Sequence, residues 1–323
     1  MNKVIKPADR KDPIMEKKKK IRGVIFALLS GICWSYSGTI GQYLFSTKNI
    51  DAGWLSVMRL FLSGLFLFAV ALWKKPVMLK KMWSSLSDVL YLILYSVFGL
   101  MLMQYSYLMT ISYSNSGIAS ALQYAGEALV LVLTCIKVRR FPRVSESVGL
   151  MLMLIGLFLF ATHGRLGSFV MTEKVAVWGT IAAVSMMLYT VLPSRIISKY
   201  GNLASTASGM MIGSAVLAVM NKAWQYHVVF DRELVFYMVL IIFIGTVSAY
   251  YMFMQSIMDI GPARTGMLSS VETISSPLFS AVWLKTAFTA ADCIGFCCMF
   301  AMVIMISWSA LKQNHVSNVS SES

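Results

Sequence analysis

Ten apolar segments, each about as long as a bilayer is thick, restrict what this chain can fold into. A helix needs roughly 20 mainly apolar residues to cross the hydrocarbon core of a membrane. Segments of this kind occupy residues 21–46, 54–73, 88–111, 114–136, 146–163, 175–198, 203–221, 234–258, 262–284 and 288–311. Only 13% of the residues are charged and 58% are hydrophobic, so the chain cannot cover the surface of a soluble domain. The sequence predicts an all-α integral membrane protein with ten transmembrane helices.

Two of the segment boundaries rest on short breaks. Residues 112–117, which contain Ser, Asn and Gly, separate the third and fourth segments, and Gly261-Pro262 separates the eighth and ninth. Residues of these types interrupt helices. Without the breaks, each pair of segments would form one helix of about 50 residues, which far exceeds the roughly 20 that a bilayer core requires.

Lysine and arginine are distributed unevenly over the loops. With a cytoplasmic N-terminus, 21 of them fall on the inner side and six on the outer side, and Arg59 lies within a span. Cytoplasmic loops carry such an excess. The bias predicts that both termini are cytoplasmic in a cell membrane, either the plasma membrane or a bacterial inner membrane. The net charge of +14 then indicates contact with anionic lipid and not with nucleic acid.

The chain also resembles itself at an offset of 146 residues. This shift lays Ser120-Ala-Leu-Gln-Tyr-Ala-Gly-Glu127 over Gly266-Met-Leu-Ser-Ser-Val-Glu-Thr273, and Gln104-Tyr-Ser-Tyr107 over Tyr250-Tyr-Met-Phe253. Few letters are identical, but each half has a polar-aromatic third helix, a tight turn and a polar fourth helix. Since five is odd, the second copy enters the membrane from the opposite side. Such inverted repeats are a structural basis for alternating access.

These features predict a domain organisation of two five-helix repeats. The first repeat spans 21–163 and the second 175–311, joined by an outer linker at 164–174. A basic cytoplasmic tail, 1–20, precedes them, and we read the first span as an uncleaved helix. A disordered cytoplasmic tail, 312–323, follows.

Three ionisable residues lie inside the predicted spans: Arg59, Glu127 and Glu272. A charge near the bilayer centre costs roughly 2.5–3.5 kcal/mol on insertion scales and faces a cavity or a partner. Helical rise places both glutamates near mid-membrane and Arg59 nearer the outer surface. Burial favours a protonated carboxylic acid and a nearby arginine favours a carboxylate, so either glutamate could exchange protons. Arg59 is either a counter-ion or a contact for a substrate carboxylate.

Polar and aromatic neighbours extend this candidate site. Polar residues at helical spacing form one stripe with each glutamate; pore lining and interhelical hydrogen bonding are equally open explanations. The mid-span aromatic residues could stack on a substrate or pack in the core. The candidates for substrate or proton binding are Glu127, Glu272, Arg59, Gln123, Trp34, Tyr124, Ser269, Tyr189 and Tyr251.

The sequence offers no recognisable machinery for catalysis. It has three histidines, all at loops or segment ends, and no nucleophile–base set, phosphate loop or metal motif. We therefore predict that the protein is not an enzyme and binds neither a metal nor a cofactor. The predicted partners are the lipid bilayer and a small-molecule substrate; protons and a second copy in a homodimer remain open.

Several stretches resemble the EamA-type proteins of the drug/metabolite transporter superfamily. They are Gly31-Ile-Cys-Trp34, Ser37-Gly38, Arg59, the region from Tyr105 to Gln123-Tyr124, Leu188-Tyr189-Thr190, Tyr250-Tyr251, Gly261-Pro262 and Leu268-Ser-Ser-Val-Glu272. The resemblance covers about residues 21–311. It implies a ten-helix carrier whose central cavity is lined mainly by helices 1, 3, 4, 6, 8 and 9, with amino acids, other metabolites or drugs as substrates that are often exported.

The leading hypothesis is thus a secondary transporter of small organic metabolites, working as an exporter, with or without proton coupling. A flippase for lipid-linked or amphipathic molecules on the same fold is the alternative. A membrane enzyme or a receptor is less favoured, because the sequence contains neither a catalytic constellation nor an extramembrane domain.

Overall fold

The described chain folds entirely into helices and the turns between them. The structure is a computed structural model that describes residues 13–165 and 171–322, and no strand occurs in these residues. The long helices are α1 Pro13–Lys48, α2 Ala52–Lys74, α3 Leu86–Tyr113, α4 Ser116–Val138, α5 Val144–Thr162, α6 Glu173–Tyr200, α7 Asn202–Met220, α8 Arg232–Ile260, α9 in the two pieces Pro262–Ser269 and Glu272–Leu284, and α10 Ala290–Glu322. The predicted all-α class is confirmed.

The helices α1 to α8 are each long and apolar enough to cross a membrane. The other two differ from the prediction in form. In α10 the apolar part, Ala290–Ile306, is shorter, and α9 is broken at Ser270-Val271. A multi-pass membrane protein is confirmed, whereas the count of ten crossings and the orientation of the termini stay predictions.

Helices extend into both predicted tails in the residues that the structure describes. The helix α1 already begins at Pro13, because proline suits the first helical position and Lys17–Lys20 are good helix formers. The helix α10 continues through Glu322, although residues 312–323 were predicted to be disordered; after Gly295 it contains no glycine or proline that would end it. Residues 1–12 and part of the outer linker, 166–170, lie outside the described residues.

The 146-residue offset reappears in the geometry of the third helix of each half. The helix α3 begins at Leu86 and α8 at Arg232, which are equivalent positions. Each helix contains a π-helical segment at the same level, Tyr95–Met101 in α3 and Leu240–Ser248 in α8. Because π-helical turns are rare in proteins, their matched occurrence is strong structural support for the repeat.

The fifth helix of each half starts in the same way. The Glu146 carboxylate accepts the Arg143 N–H at 2.8 Å, and the Asp292 carboxylate accepts the Thr289 N–H at 2.9 Å. A carboxylate at a helix N-terminus satisfies free N–H groups and complements the helix dipole. These two acids are equivalent under the offset, so the alignment of Glu146 with Asp292 reflects a shared helix cap.

The two halves interlock through pairs of equivalent helices. The helix α2 packs on α7, α5 packs on α10, and α4 packs on α9. The helix α1 packs along α8, and its counterpart α6 packs along α3. The first helix of each half therefore packs against the third helix of the other half. In the described residues the two halves form one packed unit and not two independent domains.

Ion pairs join helix ends that the predicted topology places on one side. Arg22 at the start of α1 contacts Asp259 at the end of α8 at 2.7 Å, on what we call the predicted inner side. Lys48 at the end of α1 contacts Asp231 before α8 at 2.6 Å, on the predicted outer side. Lys48 and the Leu234 N–H hold the pKa of Asp231 below its usual range. The helix α1 is thus tied to α8 at both ends.

We expect the C-terminal end of the chain to be cytoplasmic. In a cysteine-free background, a Ser320→Cys probe should resist a membrane-impermeant maleimide in intact cells and react after permeabilisation. The control Lys222→Cys, on the predicted outer side, should react in intact cells. The opposite labelling pattern would overturn the charge-based orientation.

Candidate functional site

A central cavity lies among six helices, α1, α3, α4, α6, α8 and α9, with Arg59 added from α2. These six are the helices that the family resemblance implies. The lining residues are Trp34, Arg59, Met103, Gln104, Tyr107, Gln123, Tyr124, Glu127, Met186, Tyr189, Tyr250, Phe253, Gly266, Ser269 and Glu272. A mainly apolar and aromatic lining with a few polar and charged groups is typical of small-molecule sites.

Glu272 is the central acidic group of this cavity. It begins the second piece of α9, directly after the break, and is 5% exposed. Ser120 donates a hydrogen bond to its Oε1 at 3.3 Å, and the Tyr124 hydroxyl lies 3.2 Å from its Oε2. Both partners belong to α4, so the carboxylate connects the fourth helix of one half to the fourth helix of the other.

Arg59 is the basic group of the cavity and is 3% exposed. Its Nε donates to the Thr246 hydroxyl at 3.1 Å, and its Nη2 lies 3.5 Å from the Gly245 carbonyl oxygen. Among the described residues no carboxylate lies within 4.0 Å of it, although Glu272 acts on it electrostatically at longer range. A guanidinium has five N–H donors, so several remain available to a ligand.

Glu127 and Gln123 extend the polar lining along α4. Glu127 is half-buried and forms no hydrogen bond or ion pair with the described residues. Gln123 is 8% exposed and lies one helical turn closer to the predicted outer side. Neither glutamate is neutralised by a direct contact with Arg59, so the counter-ion hypothesis for Arg59 lacks a contact in this structure.

Aromatic rings form the remaining walls. Trp34 packs edge-to-face on Tyr250 with ring centroids 5.7 Å apart, and on Phe253 at 5.1 Å. The Tyr189 hydroxyl lies 3.4 Å from that of Tyr250. Rings that are already packed against one another hold their positions, so they present a preformed apolar surface opposite the charged groups.

Comparison with known proteins assigns this arrangement to a family. Residues 21–162 and 173–308 each match the EamA-like transporter family. The chain belongs to this family. The family resemblance and the two repeats predicted from the sequence are thereby confirmed. A relative in Salmonella typhimurium strain LT2, called uncharacterized inner membrane transporter YicL, is 27% identical over 295 residues, which cover 90% of this chain and 97% of the relative.

One solved crystal structure of a protein shares the fold of this EamA-like transporter. It has a TM-score of 0.62 and 14% sequence identity, and the match covers 90% of this chain and 98% of the other. The agreement over nearly both whole chains supports the helix arrangement described above. At this identity it concerns the fold alone.

Eight of the nine candidate residues of this EamA-like transporter line the cavity. The exception is Tyr251, which is 63% exposed and has its ring 6.5 Å from that of Phe26, away from the cavity. Its neighbour Tyr250 lines the cavity instead. The sequence analysis did not select Gln104, Tyr107 or Phe253, although the 146-residue offset aligns Gln104 with Tyr250 and Tyr107 with Phe253.

Close helix contacts hold α1 in the wall of the cavity. A Cβ atom added at Gly245 of α8 would lie 2.2 Å from the Ser37 Cβ, and one added at Gly31 would lie 2.3 Å from the Ser269 carbonyl oxygen. Real Cβ atoms do not come this close, so glycine is required at both crossings. These contacts let the backbones approach each other and leave the larger side chains to point into the cavity.

A polar network closes the cavity towards the predicted outer side. The Gln42 side chain accepts the Ser116 N–H at 2.9 Å and donates to the Thr286 hydroxyl at 2.9 Å. The Ser280 hydroxyl lies 2.8 Å from Gln42 Oε1. Since Gln42 belongs to α1, Ser116 to α4 and Ser280 to α9, the network joins the two halves. We call these four residues the outer seal.

Towards the predicted inner side α9 changes its main packing partners. The second piece of α9 packs on α4, whereas the first piece, Pro262–Ser269, packs on α1, α8 and α10. The lining residues nearest this side, Glu127, Met186 and Gly266, are partly exposed, while Arg59 and Tyr107 are buried. The cavity lining is thus more exposed towards the predicted inner side than beside Arg59 and Tyr107.

Proposed function

We propose that this chain is a secondary transporter that exports small amphoteric metabolites such as amino acids by alternating access. The observation that carries the proposal is the buried guanidinium of Arg59, which faces the cavity and contacts no carboxylate of the described residues. A buried charge without a close partner is costly. A substrate carboxylate would supply that partner and would gain a bidentate, charge-assisted hydrogen bond.

Glu272 supplies the complementary charge. A substrate ammonium group at its carboxylate would complete a second ion pair, and a proton at the same carboxylate would neutralise the site when the substrate leaves. This competition between a proton and a substrate cation is the physical basis that we propose for proton coupling. The charged and polar lining disfavours the lipid-linked alternative, because an acyl chain would desolvate these groups without pairing them.

The outer seal and the partly exposed lining towards the predicted inner side support the alternating-access part of the proposal. Because the two halves are related by the repeat, exchanging their conformations would open the outer seal and close the predicted inner side. The break in α9 lies beside Glu272, so a substrate or a proton bound at Glu272 can directly affect the conformation of α9, which has to move during transport.

The proposal predicts uptake of amphoteric solutes by the purified protein. We would reconstitute it in liposomes and test amino acids, their decarboxylated amines and their deaminated acids, each with and without a pH gradient. The expected result is flux of one or more amino acids that exceeds that of both truncated analogues, and that the pH gradient accelerates.

Protein-free liposomes and an Arg59→Met variant serve as controls. The variant should lose discrimination in favour of carboxylate-bearing solutes. If the wild type and the Arg59→Met variant both preferred the amines over the intact amino acids to the same extent, Arg59 would not be a contact for the substrate carboxylate. Flux of lipid-linked substrates without flux of small solutes would favour the flippase.

A further inference from the structure

A short helix, Pro76–Trp83, lies between α2 and α3 on the predicted inner side, and no α-helix occupies the equivalent residues of the second half. Its Leu79 and Met82 are 3% and 0% exposed and belong to the hydrophobic core. The Trp83 Nε1 donates to the Ser208 hydroxyl of α7 at 3.3 Å. This helix, which we call the surface helix, is thus anchored firmly to the protein.

Four lysines surround the surface helix: Lys74 and Lys75 precede it, and Lys80 and Lys81 lie within it. All four are exposed, and within the described part of the chain none of them forms an ion pair. Other basic residues on this side do have acidic partners, as in the pairs of Arg140 with Glu146 at 2.7 Å and of Lys199 with Asp88. The lysines therefore form a patch of uncompensated positive charge.

Exposed apolar side chains border the same patch. Trp73 is 81% exposed, Val77 71% and Trp83 45%. Tryptophan is typical of the level of the lipid headgroups. A helix that presents lysine together with tryptophan and aliphatic side chains matches the interfacial helices that lie in the headgroup layer.

The equivalent region of the second repeat provides an internal comparison. After α7 the chain forms only a three-residue 3₁₀ turn, Ala223–Gln225, with an exposed Trp224 and the single lysine Lys222. This region lies on the predicted outer side. The interfacial tryptophan is therefore present in both halves, whereas the lysine cluster is found only on the side where the leaflet of a cell membrane is anionic.

We propose that the surface helix and its four lysines form a binding site for anionic phospholipid of the inner leaflet. The lysines would bind the phosphate and the anionic headgroup, while Trp73 and Trp83 lie at the level of the glycerol backbone. The site is separate from the transport cavity, so its occupancy stabilises the protein whether or not substrate is transported.

The test measures the unfolding midpoint of the purified full-length protein in neutral detergent micelles, titrated with phosphatidylglycerol or phosphatidylcholine. A ligand that binds only the folded state raises the midpoint with its concentration. We expect phosphatidylglycerol to stabilise the wild type more than phosphatidylcholine does. Replacing Lys74, Lys75, Lys80 and Lys81 by Gln should weaken the apparent affinity by about tenfold or more.

A variant with Lys17–Lys20 replaced by Gln is the matched control, since it removes the same charge from the same predicted side. It should keep the preference for phosphatidylglycerol, as should a variant with arginine at the four lysine positions. Salt at about 0.5 M should reduce the stabilisation of the wild type by phosphatidylglycerol, because it screens the charges. This measurement needs only the wild type, so it tests the proposal even if the glutamine variant does not fold. Equal losses in both glutamine variants, or equal stabilisation by the two lipids, would overturn the proposal.

Discussion

Replacing Glu272 by Gln is expected to reduce pH-driven substrate flux in proteoliposomes by about tenfold to a hundredfold. Gln has nearly the same shape, so the packing at the start of the second piece of α9 should be retained. The substitution removes the charge that pairs with the substrate cation or the proton. Hydrogen bonds to charged groups contribute about 1.5–3 kcal/mol, and each 1.4 kcal/mol corresponds to about tenfold.

The second cavity glutamate provides an internal comparison. Glu127 is half-buried, has no direct partner among the described residues and lies nearer the predicted inner side, so Glu127→Gln should reduce flux by about threefold or less. Glu173→Gln, an exposed carboxylate at the start of α6, should have no effect. Acceleration by the pH gradient should disappear only in the Glu272 variant. If Glu272→Gln retained full pH-driven flux with an unchanged folded yield, Glu272 would not be the coupling group.

Cross-linking the outer seal is expected to abolish transport. Cysteines at Gln42 and Ser280, in a cysteine-free background, would be joined by a short bifunctional thiol reagent that a reductant can cleave. The residues they replace lie in contact in the closed seal. Opening towards the predicted outer side requires α1 and α9 to separate here, so the cross-linked protein should show less than about a tenth of its flux. Reduction should restore the flux.

A second cysteine pair on the same side controls for cross-linking as such. In this control, cysteines replace Lys48 and Asp231, which form an ion pair between the outer ends of α1 and α8. The inner ends of the same two helices are joined by the ion pair of Arg22 with Asp259. Because these two helices are expected to move together, joining them should leave most of the flux. Full block by the control pair, or undisturbed flux with the seal cross-linked, would contradict the proposed motion.

The sequence identified the charged part of the cavity because ionisable groups are conspicuous in apolar helices. Arg59 and Glu272 could be selected without any structure for that reason. Phe253 and Met186 could not, since an apolar residue in an apolar helix carries no signal about which way it faces. The choice of Tyr251 in place of Tyr250 has the same origin: one residue corresponds to a turn of about 100° around a helix, and neighbouring tyrosines give no basis for choosing between the faces.

Apart from the start of α1 and the end of α10, the boundaries of the helices were predictable to within a few residues, but their internal irregularities were not. The break in α9 falls within Leu268-Ser-Ser-Val-Glu272, which contains neither glycine nor proline and reads as a continuous helix. Tertiary contacts decide the conformation there, since α1 holds the Ser269 carbonyl region closely through Gly31. The surface helix was missed because eight residues are too few to stand out between two long apolar segments.

The matched π-helical segments of α3 and α8 indicate the order of two events in the evolution of this protein. A π-helical turn accommodates one residue more than an α-helical turn, so it is the expected trace of a single-residue insertion into a helix. Such a trace at equivalent positions in both halves is most simply explained by one insertion into an ancestral five-helix polypeptide. The insertion is then older than the gene duplication that produced the ten-segment chain, and both copies have retained it while most of their other residues diverged.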